Sequence, residues 1–402
     1  MAEKKTYPLL KMKNIKNLRA AVTAQFGEKT IVLGHELEEL ERIPTGIPLL
    51  DWITGGGIPY SRVTMLRGEP SSCKSLLSSL VCAQAQKADE FVVWCDVEGS
   101  FSQEWQHQLG MNIDSTSVIR PDNSEQAMDV LQSAVRVMDR GVVVLDSIAE
   151  MAPSADLKAS YSEMSVGLAA RLTNKFWRGL SASMNTAVKS GRPPAFIAIN
   201  QPRIDVNGGN AKFTKYTYPG GEGQKYAASI TLDTRKLRPL YYLPGKGVTD
   251  DFKASKEKDA EVIGGIFQVY AEKNKTAVPY RRGEFWIYLV HYEDPKTGFK
   301  CRPGQTNKGM QILALCQRRG IIEARGSWYY FNGERLGQGA ANVGALIEDN
   351  PKLGDALMRA FWELEENLVT GGNGYEPPPP EEEDAEEEPP KKSKKKSKKG
   401  DK

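Results

Sequence analysis

The sequence predicts an α/β protein built on a mostly parallel sheet with helices on both faces. Three observations carry that expectation. Strand-like apolar runs alternate with helical segments from about residue 43 to 292, the alternation that yields a parallel sheet. The apolar run Val63 to Leu66 leads into Gly68, Glu69, Pro70, Ser71, Ser72, Cys73, Lys74 and Ser75, and a helix-like segment follows. That is the strand, loop and helix order of a phosphate-binding loop. The run Val142 to Leu145 ends in Asp146, a carboxylate at a strand tip, where open α/β sheets bind ligands.

Taken in order, residues 13–27 read as an amphipathic helix, with Leu18, Val22 and Phe26 recurring at i, i+4 and i+8. A short apolar strand is expected at Ile31 to Leu33. This first segment, 1–42, has too small a local core to stand alone and is expected to dock elsewhere. Strands are expected at 62–67, 91–96, 142–146, 195–199, 229–234, 266–271 and 284–290, within a unit spanning 43–300. Residues 241–263 read as an inserted polar loop or hairpin. Residues 301–370 switch to short helices around SWYYFNGERLG, a separate small α+β domain. The tail, 371–402, has four prolines (Pro377 to Pro380), seven carboxylates within 381–388 and seven lysines within 391–399. Such a composition cannot bury a core and is expected to be disordered. The lysine block could bind DNA or simply solubilise the chain.

The loop chemistry is specific. Backbone N–H groups of such a loop face phosphate oxygens at a helix N-terminus. Lys74 can reach the β- and γ-phosphates, and the Ser75 hydroxyl can ligate Mg²⁺ opposite Asp146. Cys73 stands where the second glycine of the pattern belongs; Lys74 and the helix start both favour its thiolate, so its pKa could be lowered. Phe91 to Cys95 is a strand followed by Asp96 and Glu98. Glu98 lies where a water-polarising base belongs, although a solvated loop glutamate would look the same. Five scattered cysteines favour a reduced compartment over disulfides or zinc. A net charge of +3 is too small to prove a nucleic-acid partner. No run of 18 apolar residues and no signal peptide is visible, so a cytoplasmic protein without a membrane span is expected.

From about Asn17 to Glu363 the chain resembles the RecA family of homologous-recombination ATPases, with a phosphate loop and tail closer to phage-encoded members. The segments IPTGIPLLDWITGGGIP, EMSVGLAARL, FIAINQPR, EKNKTAVPYRRGEFWI and GSWYYFNGERLGQGAAN carry the likeness. The resemblance implies a RecA-like core, an N-terminal polymerisation helix and strand, ATP with Mg²⁺, and a helical homo-oligomeric filament on single-stranded DNA that pairs with duplex DNA. Recombination mediators or single-strand-binding proteins are further partners it implies. It makes Glu98 the water-activating base, and it puts Trp105 on the adenine, with Ser102 in place of an acidic neighbour. Gln201 becomes the γ-phosphate sensor. Lys273 and Lys275 become a cationic pair that reaches a neighbouring subunit's ATP. Two DNA loops follow from it. The first spans about 154–166 and includes Val166, with Arg171, Asn174 and Arg178 on the next helix. The second runs from Pro202 to Gly221, with Arg203, Val206, Lys212, Lys215, Gly220 and Gly221. Its cations would neutralise phosphates and its glycines would let backbone approach the strand. Lys225 and Tyr226 match interface residues.

Two other functions share these motifs. A RecA-fold motor or helicase shares the phosphate loop, Asp146 and Glu98, but ring helicases use an arginine finger rather than a lysine pair. A filament-forming DNA-binding protein with weak ATPase activity would follow if Cys73 silenced the loop.

Overall fold

The computed structural model describes residues 12–27, 30–32, 34, 39–158, 167–204 and 216–370. The expected positions Leu33, Val166, Val206, Lys212 and Lys215, and the tail, lie outside the described residues. Helix α1 (Met12–Phe26) comes first, and strands β1 (Arg42–Ile43) and β2 (Ile58–Pro59) bracket α2 (Pro48–Thr54). Next come β3 (Val63–Gly68), α3 (Lys74–Lys87), β4 (Phe91–Asp96), α4 (Gln103–Gln108), β5 (Thr116–Ile119), α5 (Ser124–Val137) and β6 (Gly141–Asp146). Helices α6 (Ser154–Lys158) and α7 (Leu168–Ser190) lead to β7 (Ala195–Asn200). A ribbon of β8 (Arg203–Ile204) and β9 (Tyr216–Thr217), then α8 (Gly223–Ala227), precede β10 (Ala228–Leu243). Strands β11 (Gly247–Thr249), β12 (Glu261–Asn274) and β13 (Arg282–Tyr288) complete the sheet, and β14 (Tyr292–Glu293) pairs with β15 (Lys300–Cys301). The C-terminal part holds α9 (Lys308–Arg318), β16 (Ile322–Arg325), β17 (Trp328–Phe331), β18 (Glu334–Gln338), α10 (Ala340–Asp349) and α11 (Pro351–Thr370).

The main sheet has the order β13-β12-β10-β3-β7-β6-β4-β5, with β11 beside β10. Pairings from β5 through β10 are parallel; β12 and β13 are added antiparallel. The apolar runs read as strands because both faces are buried. Leu66, Trp94, Val142, Val144 and Ile197 pack on one side with Leu77 and Val81 of α3. Met65, Cys95, Val143, Leu145 and Phe196 pack on the other with Leu131 of α5 and Trp177 of α7. Alternation along each strand sends neighbours to opposite layers, so a strand covered twice loses its polar stripe.

Three expectations need correction. Ile31 and Val32 form no strand; a strand needs a partner for its backbone groups, and none pairs with them among the described residues. Leu18, Phe26 and Val32 remain 56, 62 and 39 % exposed, so among the described residues the apolar stripe of α1 is left largely uncovered. Lys273 lies inside β12 rather than in a loop, with Lys275 just beyond. The 241–263 insertion is a hairpin, but less polar than it reads. Strand β10 continues to Leu243, and Tyr242 is buried, its ring stacked on Phe299 at 4.6 Å.

The C-terminal part is fastened to the sheet by charge and aromatic contacts. Arg281 and Arg318 lie on the Trp52 ring at 4.8 and 4.6 Å. Glu365 of α11, 3 % exposed, accepts from Arg281 at 2.7 Å and from Arg319 Nε at 2.5 Å. Glu365→Ala would leave two guanidinium groups without their carboxylate. Removing one member of a buried ion pair costs about 3–5 kcal/mol, so a clear fall in the urea midpoint is expected. No helix among the described residues is long and apolar enough to cross a membrane.

Candidate active site

Residues Gly68, Asp96, Asp146 and Asn200 end four neighbouring parallel strands, and they define one crevice at the carboxyl edge of the sheet. The phosphate loop spans it. Gly68 is required by packing, because a Cβ there would fall 2.4 Å from the Thr234 carbonyl and 2.5 Å from Ser72 Oγ. Ser71 and Cys73 adopt left-handed φ values of 61° and 71°. Local turns of this kind aim successive N–H groups into one concavity that suits an anion. Glu69, Pro70 and Ser71 are exposed, whereas Ser72, Cys73 and Lys74 are buried. Lys74 Nζ donates to the Glu69 carbonyl at 2.8 Å and to Ser72 Oγ at 3.5 Å, and Ser72 Oγ meets Thr234 Oγ1 at 2.7 Å. Burial pulls the ammonium below its ordinary pKa, against the field of Asp146.

Cys73 does not take up the lowered pKa that its neighbours could give it. Its thiol is buried, and burial pushes its pKa well above the usual thiol range, with Lys74 opposing only weakly. It is therefore not acidified. The left-handed backbone at this position explains why the general pattern has glycine, and a Cβ there costs about 1 kcal/mol.

Ser75 Oγ donates to Asp146 Oδ2 at 2.8 Å, while Asp146 Oδ1 is buried and has no partner among the described residues. Among the described residues no cluster of three His, Cys, Asp or Glu side chains could hold a metal alone. A hydroxyl and a half-satisfied carboxylate do fit Mg²⁺, which takes few protein oxygens and completes its shell with water and phosphate. Burial, more than the nearby Glu98 and Asp96, pushes the Asp146 pKa up to about 6. The proton is thus held more tightly in the folded chain than in the unfolded one. Stability from this group is present at low pH and is lost as pH rises from about 4 to 6. Metal binding has the opposite sign, since a ligand must be deprotonated. Mg²⁺-dependent nucleotide binding is expected to weaken several-fold as pH falls from 7.5 to 5.5, checked by titrating a fluorescent nucleotide at fixed Mg²⁺.

Glu98 lies across the crevice. Its Oε1 accepts from Ser147 Oγ at 2.6 Å and from Gln201 Nε2 at 2.7 Å. Asp96 holds the intervening turn by accepting from the N–H groups of Ser100 and Phe101 at 2.9 and 3.1 Å. A carboxylate held by two donors beside an open phosphate cradle can orient a water for attack on a terminal phosphate. Trp105 of α4 is partly buried against the core, and Ser102 caps that helix by accepting from the Trp105 N–H at 3.3 Å.

Gln201 opens the second loop. Asn200 Nδ2 and Gln224 Nε2 both bind the Pro219 carbonyl at 2.8 Å, pinning the loop's return. Gly220 and Gly221 have φ values of 95° and 69°. A Cβ on Gly220 would fall 2.6 Å from Ile148, and one on Gly221 3.1 Å from Asn174 Oδ1. This turn therefore requires glycine for its own backbone and packing. Asn174 is likewise engaged, since its Oδ1 accepts from the Gly223 N–H at 2.7 Å. Arg171 and Arg178 are exposed on the same helix. Arg203 donates to the Ala149 carbonyl and lies 3.6 Å from Glu150, so it too has partners within the chain.

Lys273 and Lys275 are far from this crevice. Lys273 pairs with Thr231, which pairs with Met65, and the Lys275 N–H binds the Ser229 carbonyl. At about 3.3 Å per residue, Lys273 lies roughly 10 Å from Gly68 along the strands, toward their amino ends. Its ammonium reaches the Lys225 carbonyl.

Several residues of the site were not singled out in the sequence: Ser147, Asn200, Thr234 and Arg67. Ser147 and Asn200 each adjoin a strand tip and could have been flagged by that position. Thr234 and Arg67 act across strand pairs that are distant in sequence.

The fold and crevice define a class, the phosphate-loop nucleotide-binding proteins with an open α/β sheet. The RecA N-terminal domain family model matches residues 13–292 and the RecA C-terminal domain model matches residues 310–362. Protein RecA of Pseudomonas fluorescens is 32% identical over 356 residues, covering 87% of this chain and 89% of the relative. Protein RecA of Bacteroides thetaiotaomicron is 30% identical over 357 residues, covering 88% and 97%. Protein RecA of Streptomyces avermitilis is 31% identical over 361 residues, covering 89% and 85%. The chain belongs to the RecA family.

Proposed function

We propose that this protein is an ATP-dependent DNA strand-exchange recombinase. It assembles as a helical filament on single-stranded DNA, pairs that strand with homologous duplex, and hydrolyses ATP to release it. The carrying observation is the Gln201–Glu98 hydrogen bond. It joins the candidate water-orienting carboxylate to the residue that leads into the second loop, so one side chain can answer to both nucleotide and DNA.

In this reading Lys74 binds the β- and γ-phosphates in the cradle formed by residues 68–75. Ser75 and Asp146 hold Mg²⁺, which would neutralise charge on the phosphate oxygens. Glu98 orients the attacking water, with Ser147 fixing its carboxylate. Gln201 exchanges Glu98 for the γ-phosphate and thereby shifts the loop behind it, an order-disorder type of switch. Trp105 offers a ring face to the adenine, and Ser102, committed to capping α4, offers little base selectivity.

Lys273 and Lys275 are too far toward the opposite edge of the sheet to serve their own crevice. A head-to-tail stack of identical copies brings that edge against the next copy's phosphates, where two ammonium groups would stabilise charge on the transferring group. The exposed apolar stripe of α1 supports such a stack. Arg171, Arg178, Arg203, Lys212 and Lys215 supply phosphate contacts to DNA; Val166 and Val206 supply apolar wedges between base triplets.

The test is ATP hydrolysis with and without single-stranded DNA, beside electron microscopy with a non-hydrolysable analogue. DNA-stimulated turnover with helical filaments is expected. Closed rings would favour the motor reading, and intact DNA binding with no hydrolysis would favour a passive filament protein.

A further inference from the structure

Arg67 stands immediately before Gly68, one peptide from the phosphate loop. It is only 9 % exposed, which is rare for arginine unless it is paired. Its Nε donates to Asp233 Oδ1 at 2.9 Å, and its Nη2 reaches both Asp233 and Glu272. Its guanidinium lies on the Tyr218 ring, 4.4 Å from the centroid. These partners come from β10, β12 and the return arm of the second loop. Tyr218 directly follows β9, and its own carbonyl accepts from Gln224 Nε2 at 3.3 Å.

The same residue is tied to the phosphate loop by its backbone. The Arg67 carbonyl accepts from Thr234 Oγ1 at 3.1 Å, and Thr234 Oγ1 meets Ser72 Oγ. Ser72 in turn accepts from Lys74. The two carboxylates hold the guanidinium plane in one orientation. A plane so fixed presents a flat cationic face, which an aromatic ring can stack on or leave.

We infer that Arg67 is a positioning residue that seats the return arm of the second loop, through the Tyr218 ring, on the strand carrying the phosphate loop, so that nucleotide and single-stranded DNA bias one shared contact. This rests on the recombinase reading. It adds a second link between the two sites, separate from Gln201 and at the opposite end of the loop. A coupling of this kind is reciprocal: whatever factor ATP adds to DNA affinity, DNA adds to ATP affinity.

The experiment measures the affinity of full-length protein for a fluorescent oligo-dT strand, with and without a non-hydrolysable ATP analogue plus Mg²⁺. The ratio of the two affinities reads the coupling. Wild type is expected to give a ratio of about 5 to 150. Tyr218→Phe keeps the ring face and should keep that ratio. Tyr218→Leu keeps apolar volume without the ring face and should bring the ratio at least about fivefold closer to one. Arg67→Lys keeps the charge without the plane and should fall between them. The inference is overturned if Tyr218→Leu weakens DNA binding equally in both states, since that is the mark of a simple DNA contact. It is also overturned if Tyr218→Leu retains the wild-type ratio. A wild-type ratio of one would instead contradict the recombinase reading, and the inference with it.

Discussion

Replacing Lys74 by alanine should lower ATP turnover by at least about 100-fold, the usual effect of deleting one preorganised charge-stabilising donor. The structure makes this expectation sharper than the motif does. Lys74 is held inside the cradle by the Glu69 carbonyl and Ser72 Oγ, so its ammonium is already placed where phosphate oxygens would replace those two acceptors. Burial disfavours its charged form, so the alanine variant should fold at least as well as wild type. Turnover and thermal midpoint measured together check this. Lost turnover with an unchanged or raised midpoint is expected, whereas unchanged turnover would remove Lys74 from the chemistry.

Glu98→Gln should lower turnover by about 10²- to 10⁴-fold, the range for losing a general base, while nucleotide affinity is retained. An amide oxygen can still accept from Ser147 and Gln201, the two donors now on the carboxylate. Shape is thereby kept and only basicity is removed. Single-turnover hydrolysis beside nucleotide titration separates the two effects. A variant that hydrolyses normally would mean that Glu98 only anchors Gln201, and another group would have to orient the water.

The parts of this site legible in the sequence were those fixed by local chain order. An apolar run ending in Asp146, or a loop passing from Gly68 to Ser75, announces a strand tip and a helix start because a doubly covered strand has no polar residues to spare. Contacts made across strand pairs were not legible. Arg67 reads as an ordinary charge after a strand. Its role appears only when β3, β10 and β12 are side by side, bringing Asp233 and Glu272 to it from far along the chain. Lys273 was misplaced because β12 runs further than its apolar core, carried by pairing with β10. At Cys73 only half of the balance is legible, because proximity to Lys74 is visible in the sequence and burial is not. Ile31 and Val32 lack strand structure for a related reason: a strand is a property of a pair, and among the described residues no strand pairs with them.

The most direct test of the central claim is joint-molecule formation between a labelled single strand and duplex DNA, followed by energy transfer with ATP and Mg²⁺. The expected result is a signal that requires ATP, requires homology between strand and duplex, and falls when Lys273→Ala protein is used in place of wild type. A signal equal with homologous and heterologous duplex, or no joint molecules despite ATP hydrolysis on single-stranded DNA, would contradict it.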